Sequence, residues 1–332
     1  MPLVPMKQIL DEAMKGGYGV GAFNVNNMEQ IQAIMEAARR TKSPVIVQAS
    51  RGALKYSNLI YLKYLMVAAA EENPDIPIAM HLDHGNGMEV VKQAIDLGFT
   101  SVMIDGSLLE DGKTPSTYEY NVEITRRVVE YAHQFGVTVE GELGTLGGIE
   151  DGVGSGKIHL TDPDQAEEFI KATGVDALAV AIGTSHGAYK FKAEPKLAID
   201  IVKEINRRCP NVPLVMHGSS SVPQELVEIV NKYGGKMPNA KGVPIESIQE
   251  AIKHGVRKIN VDTDSRIAIT GAIRKVFYEE PEKFDPRDYL KPAREAMAKV
   301  VEARMIAFGS AGHAYDYKPM SLDDMKKVYV GK

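Results

Sequence analysis

The sequence predicts a single (β/α)₈ barrel of the TIM type, and three observations predict it. Eight short apolar runs recur along the 332 residues. Segments of helical spacing lie between them. Charged and hydroxyl-bearing residues gather where the runs end. Near-continuous apolarity over so few residues suits parallel strands covered on both faces. Strand then helix, eight times over roughly 250 residues, is the size of one such barrel. A doubly wound sheet is the competing arrangement.

In order, the runs are Val20–Val25, Val45–Ala49, Ile76–Leu82, Ser101–Asp105, Val137–Leu143, Ala177–Gly183, Val212–His217 and Arg257–Val261. Ile31, Ile34, Met35 and Ala38 form an apolar helical stripe after the first run. Val90, Val91, Ala94 and Ile95 do so after the third, and Ile124, Val128 and Val129 after the fourth. Asp162-Pro163 and Ser221-Val222-Pro223 read as helix starts, each a capping residue with an early proline. Gly141–Lys157 carries seven glycines in an acidic setting, as a mobile active-site loop would. Gly234–Pro244 is turn-rich and reads as an insertion before the eighth strand. No linker divides the chain, so residues 1–314 are expected to form the barrel domain and 315–332 a C-terminal extension.

Composition narrows the function. Thirty-nine basic against 44 acidic residues give a net charge of −5, so no basic field exists for nucleic acid or an anionic membrane. Cys209 is the only cysteine, which excludes a disulfide scaffold and a zinc ribbon. No apolar stretch reaches the ~20 residues that span a bilayer, and the first residues lack a signal peptide's pattern. A cytoplasmic location is expected.

The strand ends carry the chemistry. They read His81-Leu82-Asp83-His84-Gly85, Ile104-Asp105-Gly106, Glu140-Gly141-Glu142, Gly183-Thr184-Ser185-His186-Gly187, His217-Gly218-Ser219-Ser220 and Asn260-Val261-Asp262-Thr263-Asp264. In a barrel all of these open onto one face. His84, His186 and His217 on that face make a tris-imidazole site with a position left for substrate, as catalytic Zn²⁺ prefers. His81, two residues back on the same strand, fits a core or supporting role. Asp105 and Glu142 fit either hydrogen-bonded barrel carboxylates or alternative metal ligands. Gly187, Gly218, Ser220 and the amides of Asp262-Thr263 follow strands six to eight, where barrels hold phosphate, and Lys190 and Arg266 supply cations. Gly152–Lys157 is no Walker motif, because position 151 is Asp and Ile158 replaces the Ser/Thr.

These motifs resemble class II, zinc-dependent fructose-bisphosphate aldolases. His81-x-Asp83-His84-Gly85 and Glu140-x-Glu142-Leu143-Gly144-x-x-Gly147-Gly148-x-Glu150 are similar to the family's two signatures, and the later strand ends match in order up to about Ala314. The resemblance implies that His84, His186 and His217 bind catalytic Zn²⁺, with Asp105 and Glu142 at a second or alternative metal position. It implies Asp83 as the acid/base at the C4 hydroxyl and Glu150 as the loop carboxylate moving the ketose proton. Gly187, Lys190, Gly218, Ser220, Asp262 and Thr263 would surround one phosphate, with a monovalent cation nearby. Asn24 and Asn260 would contact the sugar, and Ser50 and Arg266 the second phosphate. The partners implied are a sugar bisphosphate and triose phosphates, acting in glycolysis and gluconeogenesis, in a homodimer or homotetramer. The inserted Gly234–Pro244 resembles fructose-type members more than tagatose-bisphosphate aldolases.

The residues fit that chemistry independently. Retro-aldol cleavage needs an electron sink, a base for the C4 hydroxyl and a later proton donor. A Schiff-base aldolase would need a strand lysine, and Lys258 inside strand eight is the single candidate. A metal-dependent hydrolase on the same barrel would want His-x-His in the first strand, which reads Asn24-Val25-Asn26. A sugar-phosphate binding protein would have no need of Asp83 and Glu150 beside a complete metal site.

Overall fold

The computed structural model describes residues 3–111, 114–146, 158–189 and 196–331. Helix α1 (Met6–Gly16) precedes the barrel. Strand β1 (Val20–Asn24) leads into α2 (Met28–Thr41), and β2 (Val45–Ser50) into α3 (Arg51–Ser57) and α4 (Leu59–Glu72). Then come β3 (Ile78–Gly85), α5 (Met88–Asp96), β4 (Ser101–Ile104), α6 (Tyr118–His133), β5 (Thr138–Leu143) and α7 (Pro163–Thr173). The circuit ends with β6 (Ala177–Val180), α8 (Ile199–Arg208), β7 (Leu214–Met216), α9 (Gln224–Lys232), α10 (Ile245–Lys253) and β8 (Val256–Val261). Helices α11 (Thr263–Glu279), α12 (Pro286–Phe308) and α13 (Leu322–Val330) follow. All eight strands pair in parallel, and β8 closes on β1. The barrel expected from the sequence is the fold.

Register sorts the strand residues into two sets. Asn24 pairs with Gln48, Gln48 with His81 and Ser50 with Asp83, so these polar side chains share the inner face. The alternate residues, Phe23, Val47, Leu82, Val102, Val139, Leu178 and Ile259, pack outward against Ile34, Val128, Phe169, Ile248 and Met297 of the helices. Burying each large aliphatic side chain contributes about 1.5–3 kcal/mol. A second core closes the amino-terminal end. There α1 inserts Met6, Ile9, Leu10 and Ala13 against Ala22, Ile46, Ala79, Ala177, Ala179 and Val215.

Three local readings are corrected. Strand β3 runs past Leu82 to Gly85, because its pairing with β4 shifts register there and His84 takes the left-handed conformation at φ 51°. Strand β7 starts only at Leu214, after Pro213, which has no N–H to give the ladder. Ser221 does not cap α9. Its amide and that of Val222 instead donate to the buried Asp264 carboxylate at 3.1 and 2.8 Å, and Arg304 Nε holds Asp264 at 3.0 Å. Asp162 does cap α7, with Pro163 in its first turn.

The tail runs beneath the barrel. Gln8 of α1 donates to Lys318 O and accepts from Met320 N. Tyr329 of α13 stacks on His133 at 3.6 Å and donates to Asp176 at 2.9 Å. Among the described residues, no helix is long and apolar enough to cross a membrane.

Candidate active site

The site is the inner, carboxyl-end half of the barrel. His84 leaves β3, His186 follows β6 and His217 follows β7, and one ring nitrogen from each lies within 4.8 Å of the others. The rings stand edge to face, with His84 at 79° to His217 and 71° to His186. His217 Nδ1 and His84 Nε2 are 3.2 Å apart. A tetrahedral Zn²⁺ with bonds of about 2.0–2.1 Å needs ligand atoms about 3.3 Å apart, so this pair fits. His84 also belongs to a second group with Asp105 and Glu142.

Electrostatics calls for a cation here. Burial disfavours a charged His84, yet Asp83 foremost, with Asp105 and Glu142, pushes its imidazole up to about 10. Burial and the neighbouring Asp105 hold the Glu142 carboxyl well above the ordinary range. Glu142 Oε2 and His84 Nδ1 are buried without a hydrogen-bond partner. A divalent ion would neutralise the carboxylates and take up the lone pair of Glu142 Oε2. The residues present therefore fit a metal.

Asp83 lies beside this centre, 2% exposed. Asn24 and Gln48 donate to its Oδ2 at 3.2 and 3.3 Å, and Asn260 to its Oδ1 at 3.4 Å. Its Oδ1 is 4.0 Å from His84 Nε2. One narrow cavity is lined by Asn24, Asp83, Gly187, Gly218, Ser219, Ser220, Asn260, Asp262 and Thr263. Close backbone approach shapes it. A Cβ on Gly218 would lie 2.7 Å from Ser185 O, and one on Gly242 2.3 Å from Ser220 O. Gly242 belongs to the Gly234–Pro244 segment, which lies between α9 and α10 and bonds Ser220 O through Val243 N.

A model of class II fructose-bisphosphate aldolase matches residues 4–313. The chain belongs to the class II fructose-bisphosphate aldolase family. A fructose-bisphosphate aldolase of Giardia intestinalis is 62% identical over 331 residues, 99% of this chain and all of that protein. One from Pseudomonas aeruginosa is 55% identical, covering 99% of this chain and 98% of its own. Among solved structures, the YdjI aldolase of Escherichia coli K12 is 30% identical with a TM-score of 0.76, covering 94% of this chain and all of that one. This chain is accordingly a metal-dependent lyase, and neither a hydrolase nor a binding protein is favoured.

Most residues singled out in the sequence converge, but not all. Arg266 lies outside the narrow cavity. It pairs with Asp262 at 2.6 Å and lines a neighbouring open hollow with Asn26, Asn27, Gln30, Gly52 and Tyr56. Ser50 Oγ accepts from Ala53 N at 3.1 Å and caps α3. Asp105 accepts from Ser107 N and Oγ, with its other oxygen 3.9 Å from His84 Nδ1. Glu150 and Lys190 lie outside the described residues.

Sequence reading missed Gln48, Ser219 and Glu140 as contributors. Glu140 Oε1 sits 2.7 Å from His217 Nε2, while its Oε2 is 2.9 Å from Lys258 Nζ and 3.3 Å from His81 Nε2. Lys258, foremost, and the two histidines drive its carboxyl well below the usual range despite burial. The available signal was alternation, since Gln48-x-Ser50, His81-x-Asp83, Glu140-x-Glu142 and Lys258-x-Asn260 each place two polar residues on one strand face.

Proposed function

We propose that the chain cleaves fructose 1,6-bisphosphate reversibly to dihydroxyacetone phosphate and glyceraldehyde 3-phosphate, with His84, His186 and His217 as the zinc ligands. The converging ring nitrogens beside Asp83 carry this reading. Bound there, Zn²⁺ would supply the electron sink for the ketose carbonyl. His84, Asp105 and Glu142 would offer a second or alternative divalent position, and a monovalent cation would lie near the phosphate.

The residues divide the remaining work. Gly187, Gly218, Ser220, Asp262 and Thr263, with Lys190, hold the phosphate at the ketose end through backbone amides and a cation. Asn24 and Asn260 orient the sugar. Ser50 and Arg266 take the second phosphate. Asp83, held by three amide donors, removes the proton from the C4 hydroxyl as the C3–C4 bond breaks. Glu150 returns a proton to C3 of dihydroxyacetone phosphate. The reaction sits in cytoplasmic glycolysis and gluconeogenesis, carried out by a homodimer or homotetramer. The barrel domain covers 1–314 and the extension 315–332.

Turnover of fructose and tagatose bisphosphates before and after chelation tests this. Fructose bisphosphate should be the better substrate, chelator should abolish its cleavage, and Zn²⁺ should restore it. Borohydride with substrate should leave activity intact. Full activity in metal-free protein, or substrate-dependent inactivation by borohydride, would overturn the mechanism.

A further inference from the structure

Among the described residues, Lys258 is the one buried lysine, fully enclosed in the barrel below the site. Its ammonium meets two groups. Nζ is 2.9 Å from Glu140 Oε2 and donates to Asn260 Oδ1 at 2.7 Å. Each group reaches upward. Glu140 Oε1 meets His217 Nε2 at 2.7 Å, and Asn260 Nδ2 faces His217 Nδ1 at 3.2 Å and Asp83 Oδ1 at 3.4 Å. Two short chains therefore start from one ammonium and end at a proposed zinc ligand and the proposed base.

The donor chemistry makes each chain directional. An ammonium has only donors, so Asn260 must turn its oxygen down to Lys258, which leaves its NH₂ facing Asp83 and His217 Nδ1. A carboxylate has only acceptors, so Glu140 fixes the proton of His217 on Nε2. That leaves the Nδ1 lone pair in the space between His84 Nε2 and Asn260 Nδ2, each 3.2 Å away. An unpaired carboxylate buried as deeply as Glu140 would be costly, and Lys258 supplies its counter-charge. An amine committed to these partners is not a free nucleophile for a Schiff base.

We infer that Lys258 is a positioning residue of the aldolase reaction, setting the His217 ring through Glu140 and the Asp83 carboxylate through Asn260. This rests on the proposed roles of His217 and Asp83. It goes beyond them by assigning their alignment to one interior lysine.

The test compares Lys258→Met with the double variant Lys258→Met/Glu140→Gln. Both are assayed as full-length protein for folding, zinc affinity by chelator competition, and the kcat and KM of cleavage. Lys258→Met strands Glu140, and its zinc affinity should fall ~10–100-fold, the usual effect of removing support behind a ligand. In the double variant a neutral amide still accepts from His217, so zinc affinity should return to within a few-fold of wild type. Its kcat should stay at least ~10-fold low with KM little changed, because Asn260 is no longer anchored beneath Asp83. If the single variant does not fold, that kcat deficit with zinc retained still supports the inference. Wild-type kcat in the double variant, or wild-type zinc affinity in folded Lys258→Met, would overturn it. Failure of the wild-type protein to bind zinc would instead overturn the metal assignment itself.

Discussion

The two ends of the barrel interior are built from the same strands and differ completely in chemistry. At the amino-terminal end the inward residues are Ala22, Ile46, Ala79, Ala177, Ala179 and Val215, sealed by α1. Two residues further along the same strands stand Asn24, Gln48, His81 and His217, with Asp83 two beyond His81. A strand's period of two carries each chain from one environment to the other within about 7 Å. The lesson is a division of labour. The apolar end pays for order, and the polar end uses that order to hold buried charges at fixed separations. Glu140, Lys258 and His81 form the layer between, where charge is enclosed on every side yet paired.

That division can be broken from either end. The largest effect is expected at the polar end. Asp83→Ala should lower cleavage by roughly 10²–10⁴, the usual worth of a positioned acid or base, while zinc content stays near normal. Metal analysis alongside steady-state kinetics checks it, and zinc loss in step with activity would make Asp83 a ligand. At the apolar end, Ile46→Ala should cost about 2–5 kcal/mol of stability through the cavity it leaves under α1. Denaturant unfolding would show that loss, while kcat per folded molecule should stay within about twofold of wild type if the two ends are as separable as proposed. The smallest effect concerns the tail. Tyr329→Phe removes the hydroxyl that donates to Asp176 but keeps the stack on His133, and should cost about 0.5–1.5 kcal/mol with kinetics unchanged. A clear change in KM would tie the tail to the catalytic face.

The apolar runs located every strand, because parallel strands covered on both sides advertise themselves by composition. The histidines and Asp83 were legible because they stand at strand ends, where function concentrates. What escaped needed register. Glu140 and Lys258 lie on separate strands, and only the closed barrel shows that their side chains meet beneath His217. Ser221 shows the same limit at a helix start. Its local pattern is that of a cap, but a carboxylate 43 residues later, Asp264, takes both nearby amides. Local rules cannot see a partner that the fold delivers from elsewhere. The role of α1 was equally unreadable, since an amphipathic helix does not state which end of a barrel it closes.

The polar end is proposed to be a three-histidine metal centre held by the rest of the barrel. Anomalous diffraction at the zinc edge, from crystals of the full chain grown with stoichiometric Zn²⁺, tests it most directly. One peak is expected about 2.0–2.1 Å from a ring nitrogen of each of His84, His186 and His217. A peak held by other residues, or no peak in protein that still cleaves fructose bisphosphate, would contradict it.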